Sequence, residues 1–468
     1  MRARISTSSA ILQQSVSTKS TASTQTVCPW CLTRSQYPQA PRRSRRHFST
    51  SQNNPSAWAA AVAKIQSTVA DVLPSRPGTP TGNITIDPLK IVAKELKFLN
   101  KNIRQLLGSG HPVLATVAKY YTQSEGKHVR PLLVLLMSQA TAFAAKQSHY
   151  DTSNLSRSSD SIDTPISSPS ILYDNNPDQM APSSPLTDTT ESSETFAFPN
   201  DASILPSQRR LAEITELIHT ASLLHDDVID HSTTRRSEPS ANTTFGNKMA
   251  VLAGDFMLGR ASVALARLRD PEVIELLATV IANLVEGEFM QLKNTASDET
   301  NPEWSEESIT YYLQKTYLKS ASLISKSCRA AALLGQCAPS VVEAAYSYGK
   351  NLGLAFQLVD DMLDYTISGA ELGKPAGADL ELGLATAPLL FAWKDRPELG
   401  QLVGRKFSGE GDVQRAREIV SQSDGLEQTR ALAQEYADKA IASISMFPAG
   451  EAKDGLEEMC IKVMKRRK

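Results

Sequence analysis

Two stretches of the sequence carry aspartates at a spacing suited to a metal ion. Each is an Asp-Asp-x-x-Asp motif between apolar residues: Asp226, Asp227 and Asp230 form the first, and Asp360, Asp361 and Asp364 the second. Positions i and i+4 share one face of a helix, so the outer aspartates of each motif stand side by side. Such carboxylates repel each other, and burying them is unfavourable. Mg²⁺ relieves both problems, because it binds one or two carboxylates together with phosphate oxygens and water.

Basic residues near these motifs could bind a diphosphate. Lys127 and Arg130 stand one turn apart at a predicted helix start, Arg235 and Arg236 follow the first motif, and Lys315 lies in a later helix. The guanidinium group suits phosphate because it donates two hydrogen bonds at once. Any one of these residues alone is typical of a charged surface. Their combination with two aspartate motifs favours a Mg²⁺–diphosphate site, and no Ser/His/Asp or Cys/His nucleophile arrangement is apparent.

The elements that must position these residues are helices. Asp87-Pro88 is typical of a helix start, and apolar residues recur every three or four positions up to Leu106. Further helices are predicted over 112–123, 132–145, 208–230, 242–268, 272–293, 306–335, 340–366, 382–394, 412–421 and 426–446. No alternating strand pattern and no short internal repeat is evident. The sequence therefore predicts an all-α protein, a large helical bundle in which the two motifs face each other across a central cavity.

Three other regions differ in composition from this helical part. Residues 1–50 hold eight Lys and Arg and no acidic residue, which is typical of a mitochondrial transit peptide. Residues 51–86 are predicted to be a linker. Residues 148–203 are rich in Ser and acidic residues and are predicted to be a disordered surface insertion. The net charge of −1 argues against a nucleic-acid partner, and apolar runs such as Pro131–Met137 are too short to span a bilayer.

Together these motifs resemble the trans-isoprenyl diphosphate synthase family, in particular its mitochondrial long-chain polyprenyl branch of the hexaprenyl and decaprenyl type. The resemblance covers 87–468 apart from the insertion. It rests also on Gly126–Pro131, Gly254-Asp255-Phe256, Glu286–Gln291, Phe356-Gln357 and Gly373–Leu380. It implies the isoprenoid synthase fold, Mg²⁺ as the cofactor, and a prenyltransferase that adds isopentenyl diphosphate to an allylic diphosphate by sequential 1′-4 condensation.

The resemblance also implies a role for each motif residue. Asp226 and Asp230 would bind Mg²⁺ with Asp227 supporting them, and Asp360, Asp361 and Asp364 would serve another Mg²⁺ on the opposite wall, with Asp360 and Asp364 as its ligands. Arg235 would contact the allylic diphosphate. Isopentenyl diphosphate would be bound by Lys127, Arg130, His219 and Arg236. The allylic phosphate and carbocation would be surrounded by Lys315, Thr316, Gln357 and Lys374. One departure is Leu384, which stands where many relatives carry a further lysine.

Product length is predicted from the residues just before the first motif. Ala221 and Ser222 lie five and four positions before Asp226, where a bulky aromatic closes the pocket in short-chain relatives. Ser222 lies one turn, about 5.4 Å, below Asp226. Small residues at these positions leave room for a deeper tunnel. We therefore expect a long product, between C30 and C50, such as a ubiquinone side-chain precursor.

The resemblance has consequences for location and partners. It implies a mitochondrial matrix enzyme associated peripherally with the inner membrane, active as a homo- or hetero-oligomer. The basic C-terminus, Lys465–Lys468, is either a solvated tail or a segment that closes over a diphosphate site or attracts anionic lipid. Three alternative functions are less favoured: a terpene cyclase or squalene-type condensing enzyme, a non-catalytic partner subunit, and a scaffold bundle with chance acidic clusters.

Overall fold

The computed structural model describes residues 87–109, 111–123, 128–147, 204–235, 238–295, 302–366 and 377–466. All of them belong to one compact unit, Asn83–Lys468. The predicted transit peptide, linker and insertion lie outside the described residues. So do three predicted substrate ligands, Lys127, Arg236 and Lys374.

The described chain is helical almost throughout. Before the insertion the helices are α1 Pro88–Ile91, α2 Ala93–Leu106, α3 Pro112–Gln123 and α4 Val129–Ala140. After it come α5 Pro206–Ile229, strands β1 Thr234–Arg235 and β2 Glu238–Pro239, α6 Ala241–Phe245, α7 Asn247–Arg267, α8 Pro271–Thr295, α9 Glu306–Thr316 and a π-helical turn, Tyr317–Ala321. The last group is α10 Ser322–Leu334, α11 Pro339–Thr366, α12 Ala378–Glu381, α13 Ala387–Asp395, α14 Leu399–Gly404, α15 Asp412–Ser421, α16 Gly425–Ser443 and α17 Glu451–Met464.

The core lies around α5 and α11, the helices that carry the two aspartate motifs. Helix α5 packs on α4, α7 and α10, while α11 packs on α10, α16 and α17. Ile214, Leu217 and Ile218 of α5 are fully buried, as is Tyr348 of α11. Each such side chain contributes about 1.5–3 kcal/mol through removal from water. The predicted all-α bundle is confirmed.

Several helix boundaries differ from the prediction. The third helix spans 129–140 instead of 132–145, and α17 was not predicted. The helix predicted over 242–268 is interrupted at Gly246, whose φ of 86° lies outside the helical region. Thr234–Arg235 and Glu238–Pro239 pair as a short antiparallel ladder. The stretch predicted as one helix over 306–335 contains the π-helical turn. Such a turn inserts a single residue and leaves the apolar period nearly unchanged, so the sequence pattern does not reveal it.

Helix α11 crosses the π-helical turn and α10 at unusually short distance. A Cβ added to Gly353 would lie 2.7 Å from both Cα and Cβ of Ala321, and one added to Gly349 would lie 2.7 Å from Cα of Ser325. Only glycine leaves room for this approach. The crossing brings Gln357, one turn after Gly353, next to the π-helical turn.

The ends of the insertion are anchored far from the aspartates. Lys146 pairs with Cys337 in an isolated bridge, and its Nζ donates to the Gly335 carbonyl oxygen at 2.8 Å. On the other side Ile204 is buried, and α5 begins two residues later. Asp226 lies twenty residues along α5, about 30 Å from this start at 1.5 Å per residue. The insertion therefore joins the bundle at the end opposite the first motif.

One described helix, α7, is long and apolar enough to cross a membrane by length and composition. Lys248, Asp255 and Arg260 interrupt its apolar residues, so no uninterrupted apolar run marks it in the sequence. One face of α7, including Ala253, Met257 and Ala261, is fully buried, and the helix packs against α5. A core helix of this kind satisfies the same length and composition criteria.

Candidate active site

The two motif helices border one cavity of about 570 Å³. Its wall is mainly polar and comes from the end of α5, the following β1 segment, α9 with the π-helical turn, α11 and α12. Side chains relevant to chemistry are Asp230, Arg235, Gln291, Lys315, Thr316, Lys319, Ser320, Gln357, Asp361, Asp379 and Leu384. Each motif contributes one aspartate to this wall, Asp230 and Asp361, whereas the other predicted metal ligands, Asp226, Asp360 and Asp364, are not part of it.

The outer aspartates of the first motif lie half-buried in an acidic group. Burial, with smaller contributions from Glu288 and Asp230, raises the pKa of Asp226 to about 7 against a usual value of 3.8, although Lys319 opposes the rise. Burial also raises the pKa of Asp230. Asp226 and Asp230 are therefore carboxyls whose charged form is disfavoured where they stand, and a bound cation would relieve this.

Lys319 is the cation that these carboxylates face, and sequence reasoning missed it. Its Nζ lies 2.5 Å from Oε2 of Glu288. Burial opposes the charged ammonium, but Asp226 and Glu288 outweigh burial and raise the pKa of Lys319. Gly287 permits the contact, since a Cβ there would lie 2.9 Å from the Lys319 backbone nitrogen. In the sequence Lys319 lies four residues after Lys315, and this spacing, which puts both lysines on one helix face, could have indicated its role.

The middle aspartate of the first motif differs from its neighbours, because Asp227 is fully buried. Arg235 binds it through a bidentate ion pair, in which Nη2 donates to Oδ1 at 2.6 Å and Nε donates to Oδ2 at 2.9 Å. This pair raises the pKa of Arg235 although burial opposes it. Arg235 still borders the cavity, as expected for a diphosphate contact, but Asp227 supports Arg235 rather than Asp226 or Asp230.

The second motif divides its three aspartates among different partners. Asp360 is half-buried and pairs with Arg466 at 2.9 Å, and the Arg466 guanidinium also stacks 4.6 Å from the Phe356 ring centre. Asp361 is buried. Asp364 accepts hydrogen bonds from the backbone nitrogens of Ala378 and Asp379, each at 3.2 Å, at the start of α12. One residue of the basic C-terminus thus reaches the second motif.

Two predicted ligands of isopentenyl diphosphate lie together. Arg130 Nη1 is 2.9 Å from His219 Nε2, which joins the start of α4 to the middle of α5.

Lys315 and Thr316, which are predicted to surround the allylic phosphate, are nearly buried but border the cavity. Burial lowers the pKa of Lys315, and Asp361 and Asp379 partly counter this. Leu384 borders the same cavity, so no lysine stands at that point of the wall.

The chain-length residues occupy different environments. Ala221 is fully buried in the core. Ser222 is partly exposed, and its hydroxyl donates to the His219 carbonyl oxygen at 2.9 Å. Since Ser222 lies four positions before Asp226, it shares the helix stripe of that aspartate, whereas Ala221 is turned away by one further residue. Ser222 is therefore the better candidate for a pocket floor.

Another motif glycine allows close packing behind the site. A Cβ on Gly254 would lie 2.2 Å from Nε2 of His225, the residue just before the first motif. The His225 ring lies over α7, with Nε2 3.2 Å from the Val251 carbonyl oxygen. Gly254 thus lets α5 and α7 approach each other, which fixes the end of α5 where the aspartates begin.

The donor set fits a hard divalent cation shared with a phosphate. Carboxylate oxygens one turn apart on α5, with Glu288 beside them, are ligands that Mg²⁺ prefers, and the raised pKa of Asp226 shows a carboxylate that lacks full compensation. Within the described ranges no three acidic, His or Cys side chains converge enough to hold a metal by themselves. Such a site needs additional oxygen ligands from a substrate.

Comparisons with known proteins agree with this geometry. Residues 190–420 match the family model described as Polyprenyl synthetase. The chain is 67% identical to the probable mitochondrial hexaprenyl pyrophosphate synthase of Neurospora crassa over 91% of this chain and 92% of that protein. It is 48% identical to decaprenyl-diphosphate synthase subunit 1 of Schizosaccharomyces pombe over 81% and 91%. A Caulobacter crescentus polyprenyl synthase, solved with calcium and isoprenyl diphosphate, is similar at a TM-score of 0.63 and 29% identity over 84% of this chain and 100% of that one.

The all-α fold and the paired aspartate site define a class of enzyme, the prenyltransferases that build polyprenyl diphosphates. The chain belongs to the polyprenyl synthetase family. The family and the enzyme class predicted from the motifs are confirmed, and divalent metal and prenyl diphosphates fit that family.

Proposed function

We propose that this chain is a Mg²⁺-dependent long-chain trans-polyprenyl diphosphate synthase. It adds isopentenyl diphosphate repeatedly to an allylic diphosphate and makes a C30–C50 precursor of the ubiquinone side chain. The observation that carries the proposal is the single cavity between the two aspartate motifs, with Arg235, Lys315 and Lys319 on its wall. Acidic groups for a metal and basic groups for diphosphates stand together there, while the similarity to long-chain synthases supports the substrate class.

The residues of this chain divide the work between two diphosphates. Mg²⁺ bound at Asp226, Asp230, Asp360 and Asp364 would neutralise charge that develops on the departing diphosphate. Arg235, Lys315 and Lys319 donate to the allylic diphosphate, with Lys374 as a further predicted ligand. Arg130 and His219, with Lys127 and Arg236 as further predicted ligands, hold isopentenyl diphosphate. The double bond of isopentenyl diphosphate attacks the allylic carbon as its diphosphate leaves, and the resulting cation loses a proton to that diphosphate. Thr316 and Gln357 line the surroundings of the allylic carbon.

A direct assay tests this proposal. The purified chain is incubated with farnesyl diphosphate, labelled isopentenyl diphosphate and Mg²⁺, and the products are separated by chromatography. We expect long-chain products that disappear with EDTA and return with excess Mg²⁺. Lys319→Met should lower the rate at least tenfold by removing a phosphate donor. The matched control is Lys326→Met on α10, whose Nζ contacts Thr279 Oγ1 at 2.8 Å away from the cavity. A chain that makes no long product refutes the proposal that it is a complete synthase on its own.

Product length offers a second test. Ser222→Phe puts an aromatic ring one turn below Asp226, and we expect products at least one isoprene unit shorter, with the rate of the first condensation largely retained. Ala221→Phe is the comparison, because Ala221 is fully buried and the ring would overpack the core. Such overpacking typically destabilises by about 1–3 kcal/mol. If Ser222→Phe makes products of unchanged length, Ser222 does not form the floor of the pocket.

Location and assembly follow from the same function. Residues 1–50 would direct the enzyme to the mitochondrial matrix, and release of an apolar product favours peripheral contact with the inner membrane. An oligomer is supported by the exposed apolar side chains on α7 and α8: Leu252 is 56% exposed, Val285 52% and Phe289 69%. Such a patch is typical of an interface. Light scattering of wild type and Phe289→Asp tests this, since a monomeric wild type would contradict it.

A heteromeric assembly is the alternative form of this oligomer. The Schizosaccharomyces pombe relative is named as subunit 1 of a decaprenyl-diphosphate synthase. In such an assembly we propose that this chain is the catalytic subunit, because both of its aspartate motifs are complete. Activity of the purified chain without any partner would favour the homo-oligomer.

A further inference from the structure

A tyrosine hydroxyl contacts the middle aspartate of the first motif. Tyr121 of α3 donates to Oδ2 of Asp227, and both side chains are nearly or fully buried. The Ala241 backbone nitrogen donates to the Tyr121 hydroxyl oxygen at 2.9 Å. Since a backbone N–H can only donate, the hydroxyl proton is directed to Asp227. Tyr121 thus shares Oδ2 of Asp227 with Nε of Arg235, whose Nη2 donates to Oδ1.

The second motif has the same arrangement, built from different helices. Tyr312 of α9 donates to Oδ2 of Asp361 at 2.6 Å, and both residues are 3% exposed. The other oxygen of Asp361 accepts from Gln357 Nε2 at 2.8 Å. The Gln357 side-chain oxygen in turn accepts from Ser320 Oγ at 2.8 Å. Gln357 and Ser320 both border the cavity.

We propose that Tyr121 and Tyr312 are positioning residues that act through the buried middle aspartates. Tyr121 fixes Asp227 and thereby orients Arg235, and Tyr312 fixes Asp361 and thereby orients Gln357 and Ser320. Asp227 and Asp361 are then anchors inside the protein rather than metal ligands, which leaves metal binding to the outer aspartates. This inference rests on the proposed function of the cavity, because it concerns how the cavity wall is held.

The geometry explains why a tyrosine suits this purpose. A buried carboxylate needs donors on both oxygens, or its burial becomes strongly unfavourable. Arg235 and Gln357 must also keep a defined direction toward the cavity. Gln357 reaches only one oxygen of Asp361, so without a second donor that carboxylate could rotate about its Cβ–Cγ bond. Arg235 reaches both oxygens of Asp227, so without a further donor the two groups could shift together. A phenolic hydroxyl on a rigid ring, held by a neighbouring helix, restricts both movements.

The chain provides matched controls at the adjacent positions. Tyr120 and Tyr311 precede the two tyrosines directly, and their hydroxyls donate to the backbone oxygens of Pro239 at 3.0 Å and Met290 at 2.8 Å. Each of the four tyrosines is replaced by Phe, which keeps the ring and removes one hydrogen bond. Melting temperature, kcat and KM for both substrates are measured on the full chain. Binding of inorganic diphosphate with Mg²⁺ is measured by titration calorimetry.

Positioning and purely structural roles predict different outcomes. We expect Tyr121→Phe to weaken diphosphate binding and raise KM about tenfold, as for loss of a hydrogen bond to a charged group. Tyr312→Phe should lower kcat by a similar factor. Tyr120→Phe and Tyr311→Phe should change these constants less than twofold. If Tyr121→Phe and Tyr312→Phe behave like their controls in an active wild type, the inference is wrong while the proposed function stands.

A double-mutant cycle tests the route of action. If Tyr121 acts through Arg235, Tyr121→Phe should have almost no further effect on diphosphate binding in an Arg235→Ala background. The corresponding cycle pairs Tyr312→Phe with Gln357→Ala and follows kcat. Additive losses in both cycles overturn the inference, and they do so whatever the single variants do to stability. An inactive wild type would instead count against the proposed function.

Discussion

Replacing Asp226 by Asn should make the metal-free protein more stable at pH 8. Burial raises the pKa of this carboxyl to about 7, so the folded protein holds the proton more tightly than the unfolded chain, in which the value is near 3.8. A raised carboxyl pKa means that stability decreases as the pH rises from about 4 to about 7. Asn has the shape of the neutral acid and carries no charge, so it avoids this loss.

The size of the effect follows from the pKa difference. About three pKa units separate the folded and unfolded values, and each corresponds to about 1.4 kcal/mol. The Asn variant should therefore gain up to about 4 kcal/mol in its free energy of unfolding at pH 8. At pH 5 the folded wild type keeps its proton, and the gain should fall to about 2 kcal/mol. The pKa of about 7 for Asp226 already reflects its attraction to Lys319, so the gain of about 4 kcal/mol includes the loss of that attraction.

Urea unfolding of both proteins in EDTA, at pH 5 and pH 8, measures this difference. Adding Mg²⁺ together with inorganic diphosphate should then stabilise the wild type more than Asp226→Asn, because ligand binding to the folded state alone shifts unfolding. Asp360→Asn is the control: that carboxylate is 42% exposed and paired with Arg466, so its replacement should give no gain. An Asp226→Asn variant no more stable than the wild type at pH 8, or a gain that does not depend on pH, would refute the reasoning.

Two further predictions concern the helix crossing and the C-terminus. Gly353→Ala should lower the free energy of unfolding by about 2 kcal/mol and lower activity, since its Cβ would press on the π-helical turn. Gly259 has open space around it, so Gly259→Ala should leave stability unchanged or raise it. Thermal melts of the two variants measure this difference. Arg466→Ala removes the ion pair with Asp360 and should lower the Mg²⁺ concentration for half-maximal activity about threefold. Lys462→Ala on α17 is the control and should leave that concentration unchanged. The prediction is wrong if Arg466→Ala gives the same Mg²⁺ titration as the wild type.

Sequence periodicity predicted most of the fold. The helix over 112–123 was placed with its observed bounds, because Pro112 starts it and its residues have one apolar face. The break at Gly246 and the π-helical turn were missed. Both depend on backbone dihedral angles that one or two residues adopt in tertiary context, and the apolar pattern continues across them.

The site was predictable in its residue types and not in its pairings. The two aspartate motifs and Arg235 were found from spacing, and the structure brings them to one cavity. The ion pair between Arg235 and Asp227 was not predictable, since it depends on the β1–β2 ladder that turns the chain back after α5. Lys319 was missed because its role appears only when α8 and the π-helical turn come within contact distance at Gly287.

The anchoring of the insertion has a practical consequence for engineering. Its two ends, at Lys146 and Ile204, are fixed by a backbone bridge and by burial at the end of the bundle opposite Asp226. We predict that the chain between these attachment points tolerates changes of length and composition. A fluorescent or affinity module placed within 148–203 should therefore leave stability and activity unchanged.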